Sequence, residues 1–101
     1  MAVKDVVDTT IDSNTITVFS KSWCPYCKAA KKLLQESYGD KKTEVVELDE
    51  REDGDEIQSY LQEKTGQRTV PNIFVNKQHV GGNDAVQAAH KNGKLKELLA
   101  V

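Results

Sequence analysis

Val3, Val6, Val7, Thr10 and Ile11 recur at helical spacing among polar neighbours, which predicts an amphipathic helix over roughly residues 3 to 12. The pattern then changes. Thr15 to Ser20, TITVFS, is β-branched and aromatic and has the short length of a buried strand. From Pro25, the positions of Ala30, Leu33, Leu34 and Tyr38 mark one face of a second helix, which Gly39 ends. Thr43 to Asp49, TEVVELD, reads as a second strand. Residues 51–66, REDGDEIQSYLQEKTG, read as a helix with Ile57, Tyr60 and Leu61 inward and Gly66 as its C-terminal cap. Ile73 to Val75 and Gln78 to Val80 read as the arms of a hairpin that turns at Asn76-Lys77. NDAVQAAHKNG predicts another helix, stopped by Gly93, and Asp84 with Gln87 has the spacing of a capping box. KLKELLAV predicts a last short helix.

The order of elements limits the topology. A strand–helix–strand crossover makes the first two strands parallel, whereas the later hairpin is antiparallel. The expected fold class is therefore α/β, with a mixed four-stranded sheet covered by helices on both faces. No linker, repeat or low-complexity tract interrupts the chain, and its 101 residues fit one domain over 1–101. A domain of that size buries a modest core without staples.

Charge and composition then exclude several classes of function. Fourteen Lys and Arg against sixteen Asp and Glu give no basic excess for nucleic acid or a membrane surface. No apolar run approaches membrane-spanning length. MAVKDVVDTTIDSN carries acids early and no apolar core, so neither a secretory leader nor a transit peptide is expected, and the expected compartment is the cytoplasm. The acids of Glu47 to Glu56 read as a solvated surface. His79, His90, Tyr60 and the Leu95, Leu98 and Leu99 cluster read as packing or surface residues.

The candidate chemistry lies in SKSWCPYCKAAKKLL, which holds both cysteines, Cys24 and Cys27. Cys24 falls where the first strand feeds the second helix, with Pro25 suited to the first helical position. A thiol there faces unpaired N–H groups and the positive end of the helix dipole. Both favour the reactive thiolate, as does the nearby Lys21, and such settings lower a cysteine pKa from about 8.5 to about 3.5–7.5. Cys27 lies one turn deeper on the same side, flanked with Cys24 by Trp23 and Tyr26. From there it can attack a mixed disulfide on Cys24. A zinc site needs about four ligands; the chain adds only His79 and His90, without ligand spacing to the pair. A C-x-x-C pair at a strand-to-helix junction points instead to thioredoxin-like redox chemistry, beside the plainer readings of a structural bridge or two inert thiols.

Taken in order, SKSWCPYCKAAKKLL, VVELDE, TGQRTVPNIFVNKQHVGGND and KNGKL resemble the dithiol glutaredoxins over roughly residues 3 to 100. The resemblance implies a thioredoxin fold, glutathione as reductant, and a glutathione-dependent thiol–disulfide oxidoreductase with Cys24 as nucleophile and Cys27 as resolving thiol. It also implies a glutathione site. Lys21 pairs with the glycine carboxylate, Gln58 assists there, and Arg68 adds charge at that end. The bond before Pro71 is cis, and Val70 presents its N–H and C=O to the glutathione backbone like an added strand edge. Gly82 and Asn83 bring the next helix N-terminus to the γ-glutamyl carboxylate, and Asp84 pairs with the ammonium. Tyr26 and Thr69 complete the set. Many relatives carry a second acid where this chain has Ala85. The partners so implied are glutathione and glutathionylated or disulfide-containing proteins, with the chain a monomer and no metal expected. Two rivals stand beside this reading: within the enzyme class, a thioredoxin served by a flavoprotein reductase; from another class, a carrier in which Cys24 of two chains and two glutathiones hold a 2Fe–2S cluster. Lys21, Pro25-Tyr26 and the Gly-Gly-Asn-Asp turn suit a charged tripeptide and speak against the thioredoxin.

Overall fold

All five residues of β1 (Ile16–Ser20) are buried in the computed structural model, which describes residues 2–100. Both faces of this strand are covered, which is why its sequence is an unbroken β-branched and aromatic run. β2 (Thr43–Glu47) lies parallel to β1, with Val45 opposite Val18. On the other side β3 (Asn72–Val75) runs antiparallel, with Ile73 opposite Val18, and β4 (Gln78–Gly81) pairs with β3. The sheet order is β2-β1-β3-β4. Asn76 and Lys77 both take positive φ, 47° and 70°, as a two-residue primed turn requires.

Alternation along β1 divides two cores. Ile16 and Val18 join Ile73 and Val75 beneath α2 (Pro25–Tyr38), α4 (Asn83–Lys91) and α5 (Lys94–Leu99). Phe19 and Phe74, their rings edge to face at 6.0 Å, meet Val7 and Ile11 of α1 (Val3–Ser13) and Ile57 and Leu61 of α3 (Gly54–Thr65). Tyr60 is only half-buried and donates its hydroxyl to Asp8 at 3.0 Å. His90 Nδ1 meets the Tyr38 hydroxyl at 2.8 Å, and His79 Nε2 meets Asn72 Oδ1 at 2.9 Å.

Four expectations need correction. The second strand stops at Glu47, and Leu48–Glu50 form a 3-10 turn. Leu48, 3% exposed, turns into the second core, and Asp49 accepts hydrogen bonds from Ser22. Glu47 is likewise no freely solvated acid: it is half-buried and paired with Lys31 at 2.8 Å. The third helix begins at Gly54, not Arg51, because its first turn abuts the 3-10 turn; a Cβ at Gly54 would lie 1.9 Å from the Leu48 carbonyl oxygen. It ends at Gly66, whose φ of 80° is the left-handed cap glycine adopts without steric cost. The Asp84–Gln87 capping box does not form. Gly82 is the N-cap, which leaves Asp84 one residue inside the helix, and Gln87 Nε2 bonds Asn83 Oδ1 at 3.2 Å instead.

Candidate functional site

Cys24 leaves β1 through a tight turn, its N–H bonded to the Lys21 carbonyl at 3.1 Å. It is the N-cap of α2, with extended φ and ψ of −80° and 120°, and Pro25 follows at the first helical position. Its sulfur accepts the Cys27 N–H at 3.4 Å, taking the place a serine or aspartate oxygen often fills at a helix start. Asp49 fastens the turn: it accepts from the Ser22 N–H at 2.9 Å and from the Ser22 hydroxyl. The hydroxyl and the N–H of Ser22 together hold the Asp49 carboxyl below the usual carboxylate range.

The two thiols are both free and differ in environment. Burial is the largest influence on Cys24 and pushes its pKa up. The N–H and thiol of Cys27, the N–H of Tyr26 and the Lys31 charge outweigh it, so the thiol lies below its ordinary value. Cys27, fully buried, is pushed up, first by that burial and further by its neighbour Cys24. The cation acting on the Cys24 thiol is Lys31 on α2, the smallest of these influences. Lys21 Nζ instead lies over the Trp23 ring, 5.9 Å from its centroid.

The Cys24 thiol also approaches the Val70 carbonyl oxygen, at 3.9 Å. Val70 lines a cleft of about 600 Å³. Tyr26, Thr69, Val70 and Pro71 line one part of it, and Gly82, Asn83, Asp84 and Ala85 the other. The Val70–Pro71 peptide bond is cis, as the resemblance implies. Seven of the expected site residues thus share one cleft beside the nucleophile. Tyr26 and Trp23 remain exposed, at 65% and 63%.

Lys21, Gln58 and Arg68 do not line this cleft. Gln58 Nε2 donates to the Arg68 carbonyl at 2.7 Å. The Arg68 guanidinium bonds Ser59 and Gln62, both neutral, and not the acids of residues 49–56. Ala85 lines the cleft, although a small apolar side chain carries no binding signal in a sequence. Among the described residues, no group of three or more His, Cys, Asp or Glu is placed to hold a metal ion, and no helix is long and apolar enough to cross a membrane. The site therefore offers a nucleophilic sulfur, an open backbone edge at Val70, unpaired N–H groups at the start of α4 and a carboxylate at Asp84. That set matches a disulfide borne by a zwitterionic peptide.

Comparison with known proteins gives the same picture. The glutaredoxin family model matches residues 16–80. The chain is 52% identical over 97 residues to Glutaredoxin-C4 of Arabidopsis thaliana, covering 96% of this chain and 70% of that protein. It is 50% identical over 98 residues to Glutaredoxin-1 of Rhizophagus irregularis, covering 97% and 95%. Its structure is similar to that of a buckwheat glutaredoxin–glutathione complex, with a TM-score of 0.90 and 41% identity, over 97% of this chain and 87% of that one.

Proposed function

The chain belongs to the glutaredoxin family and is a glutathione-dependent thiol–disulfide oxidoreductase, and we propose that Cys24 is its nucleophile, Cys27 its resolving thiol and the cleft beside Val70 its glutathione site. The observation carrying this reading is the position of Cys24: its sulfur caps α2 and lies 3.9 Å from the carbonyl of Val70 in the cleft wall. A sulfur so placed is poised for an incoming disulfide whose glutathione half lies along Val70.

The chemistry is exchange at sulfur. The Cys24 thiolate attacks the glutathionyl sulfur of a mixed disulfide. The old S–S bond breaks, the substrate leaves as a thiolate and takes up a proton, and Cys24 carries glutathione. A second glutathione thiolate attacks that glutathionyl sulfur, releasing glutathione disulfide and the Cys24 thiolate. With a protein disulfide, Cys24 first joins the substrate. Cys27 then loses its proton and attacks Cys24, expelling the reduced substrate and closing a Cys24–Cys27 disulfide. Two glutathiones reopen it, leaving as glutathione disulfide. Burial that raises the Cys27 pKa keeps it a thiol until that second step.

Within the cleft, Val70 supplies N–H and C=O to the tripeptide backbone, with Thr69 and Pro71 shaping that edge. The N-terminus of α4 at Gly82 and Asn83 takes the γ-glutamyl carboxylate, and Asp84 takes the ammonium. Tyr26 closes over the ligand. Lys21, with Gln58 and Arg68 on its flank, takes the glycine carboxylate. The partners are glutathione and glutathionylated or disulfide-containing proteins, neither nucleic acid nor membrane, and the chain acts as a monomeric single domain over residues 1–101. A cytoplasmic location fits, because glutathione is kept reduced there. Pro25 disfavours the cluster-carrier alternative, since it fixes φ and has no N–H to offer a bridging sulfide.

The test is turnover of a small glutathione mixed disulfide, with glutathione and glutathione reductase regenerating the enzyme. Saturable turnover that needs Cys24 supports the reading. Turnover by a flavoprotein thioredoxin reductase but not by glutathione would overturn it.

A further inference from the structure

We propose that Gln67 is a positioning residue for the glutathione cleft, its side-chain amide stapling the carbonyls on both sides of Val70 so that, of the three, only the Val70 carbonyl stays open to the ligand. The inference rests on the proposed role of Val70. Gln67 Nε2 donates to the Thr69 carbonyl at 3.0 Å and to the Pro71 carbonyl at 2.9 Å. Thr69 and Val70 lie in a bend, and the cis bond before Pro71 folds the chain so that the carbonyls flanking Val70 reach one side-chain amide. The carbonyls of Thr69 and Pro71 are thus taken up by Gln67, whereas that of Val70 is left to the Cys24 sulfur, which meets it at 3.9 Å.

The staple itself is anchored. The Gln67 N–H bonds Thr65 Oγ1 at 3.1 Å, and its carbonyl accepts from Asn72 Nδ2 at 3.5 Å. Asn72 is 1% exposed and also meets His79, so it cannot readily move. The amide further lies at the seam between the two lining segments. A Cβ at Gly81 would come within 3.8 Å of Gln67 Oε1, and one at Gly82 within 3.9 Å of Nε2 and 3.5 Å of the Pro71 carbonyl oxygen. Gln67 therefore sets the spacing between the Val70 edge and the turn that leads to Asp84, while not lining the cleft itself.

The experiment titrates isotope-labelled full-length protein with S-methylglutathione, which cannot exchange at sulfur, and follows the Val70 amide by NMR. The variants are Gln67→Met, of similar length without donors; Gln67→Glu, which sets an anion beside two carbonyls; and Gln67→Lys, which restores donors on a flexible stem. We expect the Val70 amide to shift in the wild type. Gln67→Met should weaken binding about tenfold, the scale of one to two net hydrogen bonds. Gln67→Glu should weaken it more, and Gln67→Lys should recover part of the loss. The pH at which Cys24 is alkylated should not move, because the groups that lower it, Cys27, the Tyr26 N–H and Lys31, do not bond to Gln67. If Val70 shifts in the wild type but Gln67→Met binds as tightly, this inference alone fails. A wild-type protein that binds the ligand without moving Val70 overturns both the inference and the site reading beneath it. Should Gln67→Met not fold, Gln67→Asn, one methylene shorter, is read by the same criteria.

Discussion

A methyl group added at Gly54 would lie 1.9 Å from the Leu48 carbonyl oxygen and 2.8 Å from its carbon. Real Cβ atoms essentially never approach within 3.0 Å, so the two segments must part by about 1.1 Å, the difference between 3.0 and 1.9 Å. Neither side yields easily, because Leu48, Ile57 and Leu61 are packed in the same core. Overpacking of this kind costs about 1–3 kcal/mol. Alanine's better helix propensity offsets at most about 1 kcal/mol, and less at the first helical position. A net loss of about 1–2 kcal/mol should lower Tm by roughly 4–16 °C. The effect should also reach the site, since the 3-10 turn carries Asp49, which fastens Ser22 two residues before Cys24. KM for glutathione should therefore rise when measured well below the variant's Tm. Gly66→Ala is the control: nothing lies within 4 Å, but φ is 80°, so it loses stability through backbone strain and leaves KM unchanged. Calorimetry with steady-state kinetics gives both readings. A Gly54→Ala protein melting within about 2 °C of wild type would show that the contact relaxes freely and carries no constraint.

Cys24→Ser should abolish all thiol transfer, whereas Cys27→Ser should keep deglutathionylation and lose most reduction of protein disulfides; equal loss of deglutathionylation in both would contradict the division of roles. The alkylation rate of Cys24 should rise with pH through an inflection below the roughly 8.5 of an ordinary cysteine. Lys31→Gln removes a cation and should move that inflection up. Glu47→Gln leaves Lys31 unpaired and should move it down, and an inflection indifferent to both changes would remove the pair from the account of the thiol. Lys21→Ala should raise KM for glutathione at low salt, with the difference from wild type shrinking at high salt as screening grows; unchanged kinetics at low salt would remove Lys21 from the site.

Periodicity and short β-branched runs were enough to locate the α-helices and strands of the described residues. They failed where a distant contact decides a local shape. TEVVELD reads as one strand through Asp49, but burial of Leu48 and the bonds from Ser22, 27 residues away, turn the chain into a 3-10 turn. The Asp84–Gln87 spacing is right for a capping box, yet the turn through Gly81 and Gly82 starts the helix two residues too early for Asp84 to serve as cap. At the site, Cys24, Val70 and Gly82 to Asp84 were legible because each belongs to a compact motif. Lys31 was not, since its influence on Cys24 depends on which way a side chain two turns along α2 points, whereas Lys21, nearer in sequence, lies over Trp23. Gln67 was silent for a similar reason: a glutamine in a loop has no signature until the carbonyls it bonds are seen.

Mass mapping of the Cys27→Ser protein after exposure to glutathione disulfide asks whether Cys24 accepts and returns glutathione. We expect one glutathionyl group, on Cys24, that excess reduced glutathione removes as glutathione disulfide while regenerating the free thiol. A protein left unmodified at neutral pH, or an adduct that reduced glutathione cannot release, would contradict Cys24 as the nucleophile of a glutathione-dependent exchange.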